Sequence, residues 1–187
     1  ATAEWQSYQQ GIDATAPEDY TLQLSADGAR FDTDTRWNDT APTSSVFTVA
    51  GNDTVNGDTV AYIAYCFAPI KGYSAFGSYM GMGGADGPFI YTGFRPNWLM
   101  IKSFTNAARS WYIFDGKNKG YNVAGNCLLK ADTTAVEDCS SFVDLLSNGF
   151  KIRSTDNPLN QDTSEFIYLA FAEFPIVSSN DVPGVAR

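Results

Sequence analysis

The sequence contains no histidine at all. This absence excludes Ser-His-Asp and Cys-His nucleophile systems and every histidine-ligated metal centre. A phosphate-binding loop is also missing, because the glycine cluster of residues 81–87 is followed by neither Lys-Ser/Thr nor a helical pattern. No spacing of carboxylates singles out the facing pair that a glycosidase needs. We therefore predict a protein that is not an enzyme.

Basic residues are scarce and scattered. Twelve Lys and Arg stand against 21 Asp and Glu, which gives a formal net charge of −9. Such a chain repels a phosphate backbone, so nucleic acid is not an expected partner. No apolar run approaches the roughly 20 residues of a membrane helix, and we expect no membrane insertion. The chain starts at Ala1 without a secretory pattern, which we interpret as a piece of a longer protein.

Only three cysteines are present, Cys66, Cys127 and Cys139. They are too few for a disulfide scaffold, and without histidine they do not make a zinc site. Cys66 lies inside an apolar run, which predicts a small buried residue. Pairing of Cys127 with Cys139 is an alternative, but we predict free thiols because the redox compartment is unknown.

Short strand patterns separated by turns run along the chain, and long helical patterns are nearly absent. Residues 131–146 predict a loop with at most a turn or two of helix. We predict one all-β domain over residues 1–187, an antiparallel jelly-roll or concanavalin-like sandwich with little or no helix. Residues 59–68 and 165–175 are the two apolar runs long enough to be central strands. Shorter strands are predicted at residues 21–24, 46–49, 89–91, 98–103, 110–115, 126–130 and 150–153.

The two apolar runs resemble each other. A shift of 106 positions aligns Tyr62-Ile-Ala-Tyr65 with Tyr168-Leu-Ala-Phe171 and Pro69-Ile70 with Pro175-Ile176. This echo predicts an equivalent hairpin in each half of a sandwich. Chance similarity between two apolar strands is the alternative.

Glycines and aromatic residues alternate densely in residues 71–102. Glycine permits turns with positive φ and close approach of other groups, and aromatic rings supply large contact surfaces. The stretch is either a binding loop or a set of tight turns whose rings pack underneath. If it binds, we expect its contact residues to be Tyr73, Phe76, Tyr79, Asp86, Arg95 and Trp98.

Carboxylates sit mostly in polar loops, and no cofactor is expected. Calcium is the one alternative, since hard cations take loop carboxylates and carbonyls. No group matches a helix-loop-helix spacing, and Asp and Asn are common in β-turns without a metal. Glu173 lies inside an apolar run, where the outward face of a strand explains it most simply. The calcium candidates are Asp27, Asp32 and Asp34, then Asn52, Asp53 and Asp58, then Asp156, Asn157 and Asp162.

Motifs spread over nearly the whole chain resemble a domain that recurs in structural proteins of tailed bacteriophages, especially marine ones. Met80-Gly-Met82 departs from that family, which has more polar residues there. The motifs are WNDTAPTSSVF (37–47), YIAYCFA (62–68), GYSAFGSYMG (72–81), ADGPF (85–89), YTGFRP (91–96), residues 99–102 and 111–115, FVDLLSNGFK (142–151) and residues 168–175.

The resemblance implies a concanavalin- or laminin-G-like sandwich in a virion component, often in a longer tail-fibre-like protein. We expect a lectin-like module of a tail fibre that adheres to a glycan or protein of the host surface, in several copies for avidity. The alternative is a decoration or assembly protein whose aromatic surface docks onto neighbouring virion subunits.

Overall fold

A computed structural model describes residues 4–118, 127–140, 142–155 and 157–173, and these residues form three antiparallel sheets. The N-terminal sheet contains β1 (Gln6–Ser7), β2 (Tyr20–Gln23) and β3 (Phe31–Asp32). The central sheet contains β4 (Ser74–Met80), β6 (Pro96–Ser103), β7 (Tyr112–Asp115), β8 (Leu128–Lys130) and β11 (Glu165–Ala172), in the order β4-β11-β6-β7-β8. The third sheet contains β5 (Phe89–Tyr91), β9 (Val143–Leu146) and β10 (Gly149–Ile152), in the order β5-β10-β9.

Helices are few and short. They are the one-turn α1 (Asp34–Trp37), α2 (Asp53–Asn56) and α3 (Asn157–Asn160), with 3-10 turns at Gln10–Ile12 and Pro17–Asp19. None of the helices in the described ranges is long and apolar enough to span a membrane. The all-β, sandwich-like fold predicted from the sequence is confirmed.

Strand β11 is the centre of the molecule, as its apolar sequence predicts. It pairs with β4 on one side and with β6 on the other along nearly its full length. Side chains of a strand alternate between two faces. Phe166, Tyr168 and Ala170 therefore enter one core, while Ile167 and Leu169 pack in another.

Both faces of the central sheet are covered. The main core lies between the central and third sheets and contains Leu99, Phe114, Phe150 and Phe166, all fully buried. A second, smaller core joins the opposite face to the N-terminal sheet and the first 3-10 turn, with Ile12, Leu22, Met100, Phe104, Trp111 and Ile167. The N-terminal sheet thus adds a partial third layer to the sandwich.

The prediction of a central strand at residues 59–68 is wrong. These residues form no strand, and every side chain from residue 58 to residue 71 is exposed. Cys66 is accordingly an exposed free cysteine and not a buried one. The physical reason is position: β11 already occupies the place between β4 and β6, so a run just before β4 reaches only the sheet edge. Residues 46–49 also form no strand, and the predicted pair of equivalent hairpins is wrong as well.

The prediction of free thiols at Cys127 and Cys139 is wrong, because the two residues form a disulfide. Leu128 and Asp138 exchange backbone hydrogen bonds of 2.8 and 3.1 Å, which bring the ends of this short segment together. The pairing of Leu128 with Asp138, which no pattern in the sequence indicates, therefore places the two cysteines next to each other.

Candidate binding surface

Four aromatic rings meet around Phe171 near the end of β11. The ring centroids of Phe67, Phe76, Tyr73 and Trp98 lie 5.6, 5.7, 5.9 and 5.6 Å from that of Phe171. Phe67 also lies 6.5 Å from Phe76. Edge-to-face and tilted contacts at these distances are favourable arrangements of aromatic rings. We call these five residues the aromatic cluster.

Strand register brings the cluster together. Phe171 stands opposite Ser74 of β4 on one side and opposite Trp98 of β6 on the other. Tyr73 precedes β4 after a turn at Gly72, where φ is +76°, and its carbonyl accepts a 2.8 Å hydrogen bond from the Ala172 N–H. A φ in this range strongly favours glycine, so the turn fixes the direction in which β4 starts.

The cluster is only partly covered. Phe76, Trp98 and Phe171 are half-buried, whereas Tyr73 is 38% exposed and Phe67 is 63% exposed. Trp98 also packs against the second core. The five rings therefore form an aromatic platform that packs against the second core on one side and is partly exposed to solvent on the other.

Charged residues that are close to the platform residues in the sequence form ion pairs within the protein. Glu173, two residues after Phe171, forms ion pairs with Arg95 (4.0 Å) and with Lys117. The Glu173 side chain is 7% exposed, so it is largely buried and not on an outward strand face as the sequence suggested. Arg95, a predicted contact residue, is thus engaged within the protein.

The other two predicted contact residues lie elsewhere. Tyr79 points into the main core, stacks on Phe166 at 5.0 Å and donates a 2.9 Å hydrogen bond to the Leu159 carbonyl. Its burial raises the pKa of the Tyr79 hydroxyl well above the usual value. Asp86 is exposed and pairs with Lys151 at 2.8 Å, and the hydrogen bond from Lys151 lowers the pKa of the Asp86 carboxyl.

Of the six predicted contact residues, the structure therefore brings together three: Tyr73, Phe76 and Trp98. The other two cluster members, Phe67 and Phe171, were not among the predicted contact residues. The similarity between the segments that contain them was visible, but their proximity depends on the turn before β4.

The glycine-rich loop after β4 is held by the fully buried Asn160. The Asn160 amide donates hydrogen bonds to the carbonyls of Gly84 (2.6 Å) and Ser154 (2.9 Å), and its carbonyl oxygen accepts from the Met82 N–H (2.8 Å). A Cβ at Gly81 would lie 2.1 Å from the Gln161 carbonyl oxygen. The glycines here permit close backbone packing, so this part of the stretch fits the tight-turn alternative.

Within the described ranges, no arrangement of ligands supports the calcium hypothesis. There, three Cys, Asp or Glu ligand atoms converge only at Cys127, Glu137 and Cys139, whose cysteines are joined in the disulfide. Asp156, one of the candidates, lies outside the described residues. The other acidic candidates do not form such a group.

A second unusual surface precedes the cluster in the chain. Residues 59–70, which we call the apolar segment, carry Ile63, Tyr65 and Phe67 with 71%, 69% and 63% of their surfaces exposed. Trp5 stacks on Tyr65 at 6.2 Å, and the Tyr62 hydroxyl donates to the Asp53 carbonyl of α2. Contiguous exposed apolar surface of this kind marks interaction sites in soluble proteins.

Fold and surface together define an antiparallel β domain that presents an aromatic platform. Residues 1–175 match the sequence profile of a family described as Domain of unknown function (DUF7483), and the chain belongs to that family. No curated protein and no solved structure shows significant similarity to the chain.

Proposed function

We propose that the chain is a non-enzymatic structural module of a phage virion, a tail-fibre or appendage domain that binds host-surface glycans through the aromatic cluster. The observation that carries the proposal is the set of rings around Phe171, anchored from below and partly exposed. The resemblance of the sequence motifs to those of phage structural proteins supports the proposed setting in a virion.

The chemistry of the platform suits a sugar. A sugar ring has an apolar C–H face and a rim of hydroxyls, and aromatic rings pack well against the apolar face. The Tyr73 hydroxyl can exchange hydrogen bonds with the rim. A shallow platform of this kind binds weakly, and several copies on one appendage convert weak sites into useful avidity.

Replacing Tyr73 by Ala tests the proposal with the least disturbance to the fold, because this ring is exposed and precedes β4. We expect binding of the multimerised, fluorescently labelled domain to host cells and to a glycan panel to fall by about tenfold or more, which corresponds to about 1.4 kcal/mol. The melting temperature should change by no more than a few degrees, as for other surface substitutions.

Tyr91→Ala is the matched control, because Tyr91 is 67% exposed on β5 and is not in the cluster. Its binding should equal that of the unchanged domain. Unchanged binding by Tyr73→Ala, or an equal loss in both variants, would contradict a glycan site at the cluster.

A second candidate function is supported by the apolar segment. Its exposed Ile63 and Tyr65 suit contact with a neighbouring virion subunit, which is the role of a decoration or assembly protein. In that case a virion reconstruction would place the segment against a symmetry-related neighbour, and the cluster would bind no glycan.

A further inference from the structure

Strand β4 lies at an edge of the central sheet, and no described strand pairs with its outer side. Two hydrogen bonds lie just beyond the ends of β4, one from the Ala172 N–H to the Tyr73 carbonyl and one from the Gly81 N–H to the Ser164 carbonyl. They show that the odd-numbered residues are the ones that bond to β11. In an antiparallel ladder these residues alternate with residues whose N–H and C=O point the other way. The backbone groups of Phe76, Ser78 and Met80 therefore point to the open edge.

The chain has already formed the first rung of a hairpin on this edge. Ile70 and Ser74 exchange backbone hydrogen bonds of 3.1 and 2.9 Å, with the turn at Gly72 between them. Continuing this antiparallel register pairs residue 68 with Phe76, residue 66 with Ser78 and residue 64 with Met80. Each of these pairs would satisfy the open backbone groups of β4.

The sequence of the apolar segment fits this register. Pro69 falls opposite Ala75 at a position that makes no bond to β4, where proline on an edge strand is tolerated. The bonded positions Ala64, Cys66 and Ala68 carry small side chains, and the intervening Ile63, Tyr65 and Phe67 carry large ones.

The neighbours on each face match these sizes. The small side chains would share the face of the first 3-10 turn, where a Cβ on Gly11 would already lie 3.0 Å from the Gly77 backbone. Phe67 would stand beside Gly77, which has no side chain, on the face that Ala75 and Tyr79 turn to the main core. Register, proline position and side-chain size therefore agree.

We propose that the apolar segment is a strap with two positions, which regulates access to the aromatic cluster. In the position described above, Phe67 lies on Phe171 and Phe76 and partly covers them. In the other, residues 61–69 pair with the β4 edge of the same chain as a sixth strand. Because a strand places alternate residues on opposite faces, Phe67 then leaves the cluster and opens the platform.

The same chain is the donor because the Ile70–Ser74 rung holds the segment beside its own β4 at high effective concentration. The gating role rests on the proposed glycan site, whereas strand pairing does not. Own-chain pairing also stands against the second candidate function, in which the segment contacts another subunit.

Cysteine crosslinking tests the register directly. Ser78→Cys places a thiol opposite the free Cys66, and directly paired residues lie at about the Cα separation that a disulfide needs, 5.5 Å. With oxidised glutathione we expect an intramolecular Cys66 disulfide in Ser78→Cys, identified by peptide mass mapping. Met80→Cys, which is two residues out of register, is the matched control and should not crosslink. Cys66→Ser with Ser78→Cys should also give no crosslink.

Hydrogen exchange of the unmodified chain provides a second measurement. The amides of residues 64, 66 and 68 should exchange more slowly than those of residues 63, 65 and 67, because only the first set bonds to β4. Radical footprinting of the crosslinked Ser78→Cys protein should show faster oxidation of Phe171 and Trp98 than in oxidised Met80→Cys.

The outcomes separate the claims. A covalent dimer in place of the intramolecular crosslink would show that a second copy donates the strand, and no crosslink with uniformly fast exchange would show that there is no pairing; either overturns the proposal. Pairing without faster oxidation of Phe171 and Trp98 overturns the gating role. Because none of these readouts uses a glycan, pairing and opening with no glycan binding would refute only the proposed function.

Discussion

Two segments of nearly the same sequence have opposite surroundings in this protein. Tyr168-Leu-Ala-Phe171 lies in β11, with β4 and β6 on its two sides and a core on each face. Tyr62-Ile-Ala-Tyr65 is exposed at every position and pairs with no strand. Apolar, strand-prone sequence is therefore necessary for a central strand but does not decide which segment becomes one.

The difference follows from the order in the chain. A strand is stabilised by neighbours on both sides, and β11, the last of the described strands in the chain, lies between β4 and β6 in the sheet order. The apolar segment comes immediately before an edge strand, so it has one open edge to pair with and no neighbour beyond it. The protein thus contains one segment of this type that is a central strand and one that is exposed and pairs with no strand.

The largest expected effect comes from breaking the buried copy. Tyr168 packs its ring 5.3 Å from that of Phe150 in the main core, and Tyr168→Ala should lower the free energy of unfolding by about 3–5 kcal/mol. Tyr62→Ala, at the equivalent position of the exposed copy, should lower it by about 1 kcal/mol or less. Urea denaturation measures both. Similar losses would mean that the two copies are equally important to the fold.

The second effect concerns the opposite edge of the central sheet. There the Cys127–Cys139 disulfide closes a segment with a sequence separation of 12 next to β8, whereas the β4 edge has no covalent link. Replacing both cysteines by Ser should lower the free energy of unfolding by about 2–3 kcal/mol, because the unfolded chain regains loop entropy. Cys66→Ser is the control and should leave the melting temperature unchanged. A loss of stability in the Cys66→Ser control alone would contradict the assignment of this stability to the disulfide.

The smallest effect concerns Lys102 of β6, which stands opposite Ile167 of β11. The ammonium is fully buried and donates to the carbonyls of Gly28 (2.7 Å) and Ser103 (2.6 Å), and burial lowers the pKa of Lys102 from 10.5 to about 8. Between these two values the unfolded chain binds more protons than the folded one, so this group's contribution to stability rises with pH. The charged form is the costly one when buried.

We therefore compare the free energy of unfolding at pH 8 and pH 10 for the unchanged protein and for Lys102→Met. The rise should be larger in the unchanged protein by on the order of 2 kcal/mol, after allowance for solvent screening. Lys71→Met, at an exposed lysine, should retain the full rise. An identical pH dependence in Lys102→Met would show that the Lys102 ammonium is not desolvated in the fold.

Strand positions with strong local patterns could be predicted from the sequence, and long-range contacts could not. Residues 89–91, 98–103 and 165–172 form strands as predicted, because each alternates or is continuously apolar between turn residues. The disulfide depends on pairing between Leu128 and Asp138, which no local pattern indicates. Asn160 gives no sign in the sequence that it will hold the glycine-rich loop from the far end of the chain.

The candidate surface was predictable only in part for the same reason. Composition points to Tyr73, Phe76 and Trp98. Strand register places Phe76 and Trp98 on one face, and the turn at Gly72 before β4 brings the Tyr73 ring to the same cluster. Tyr79 lies in the same stretch rich in glycine and aromatic residues. It is an odd number of residues from Phe76 on β4, however, and therefore faces the main core. Register at single-residue precision is what the sequence alone did not supply.

The unpaired edge of β4 also has a consequence for how the protein behaves in concentrated solution. Between Asp58 and Lys71 the apolar segment offers twelve uncharged residues, of which residues 60–68 contain no proline. Windows of this composition are the ones that stack into cross-β fibrils, and an open edge is a template for their growth. Asp58 and Lys71 then act as gatekeeper charges that flank the hazard, and neutralising them would favour fibril formation over storage as a clear solution.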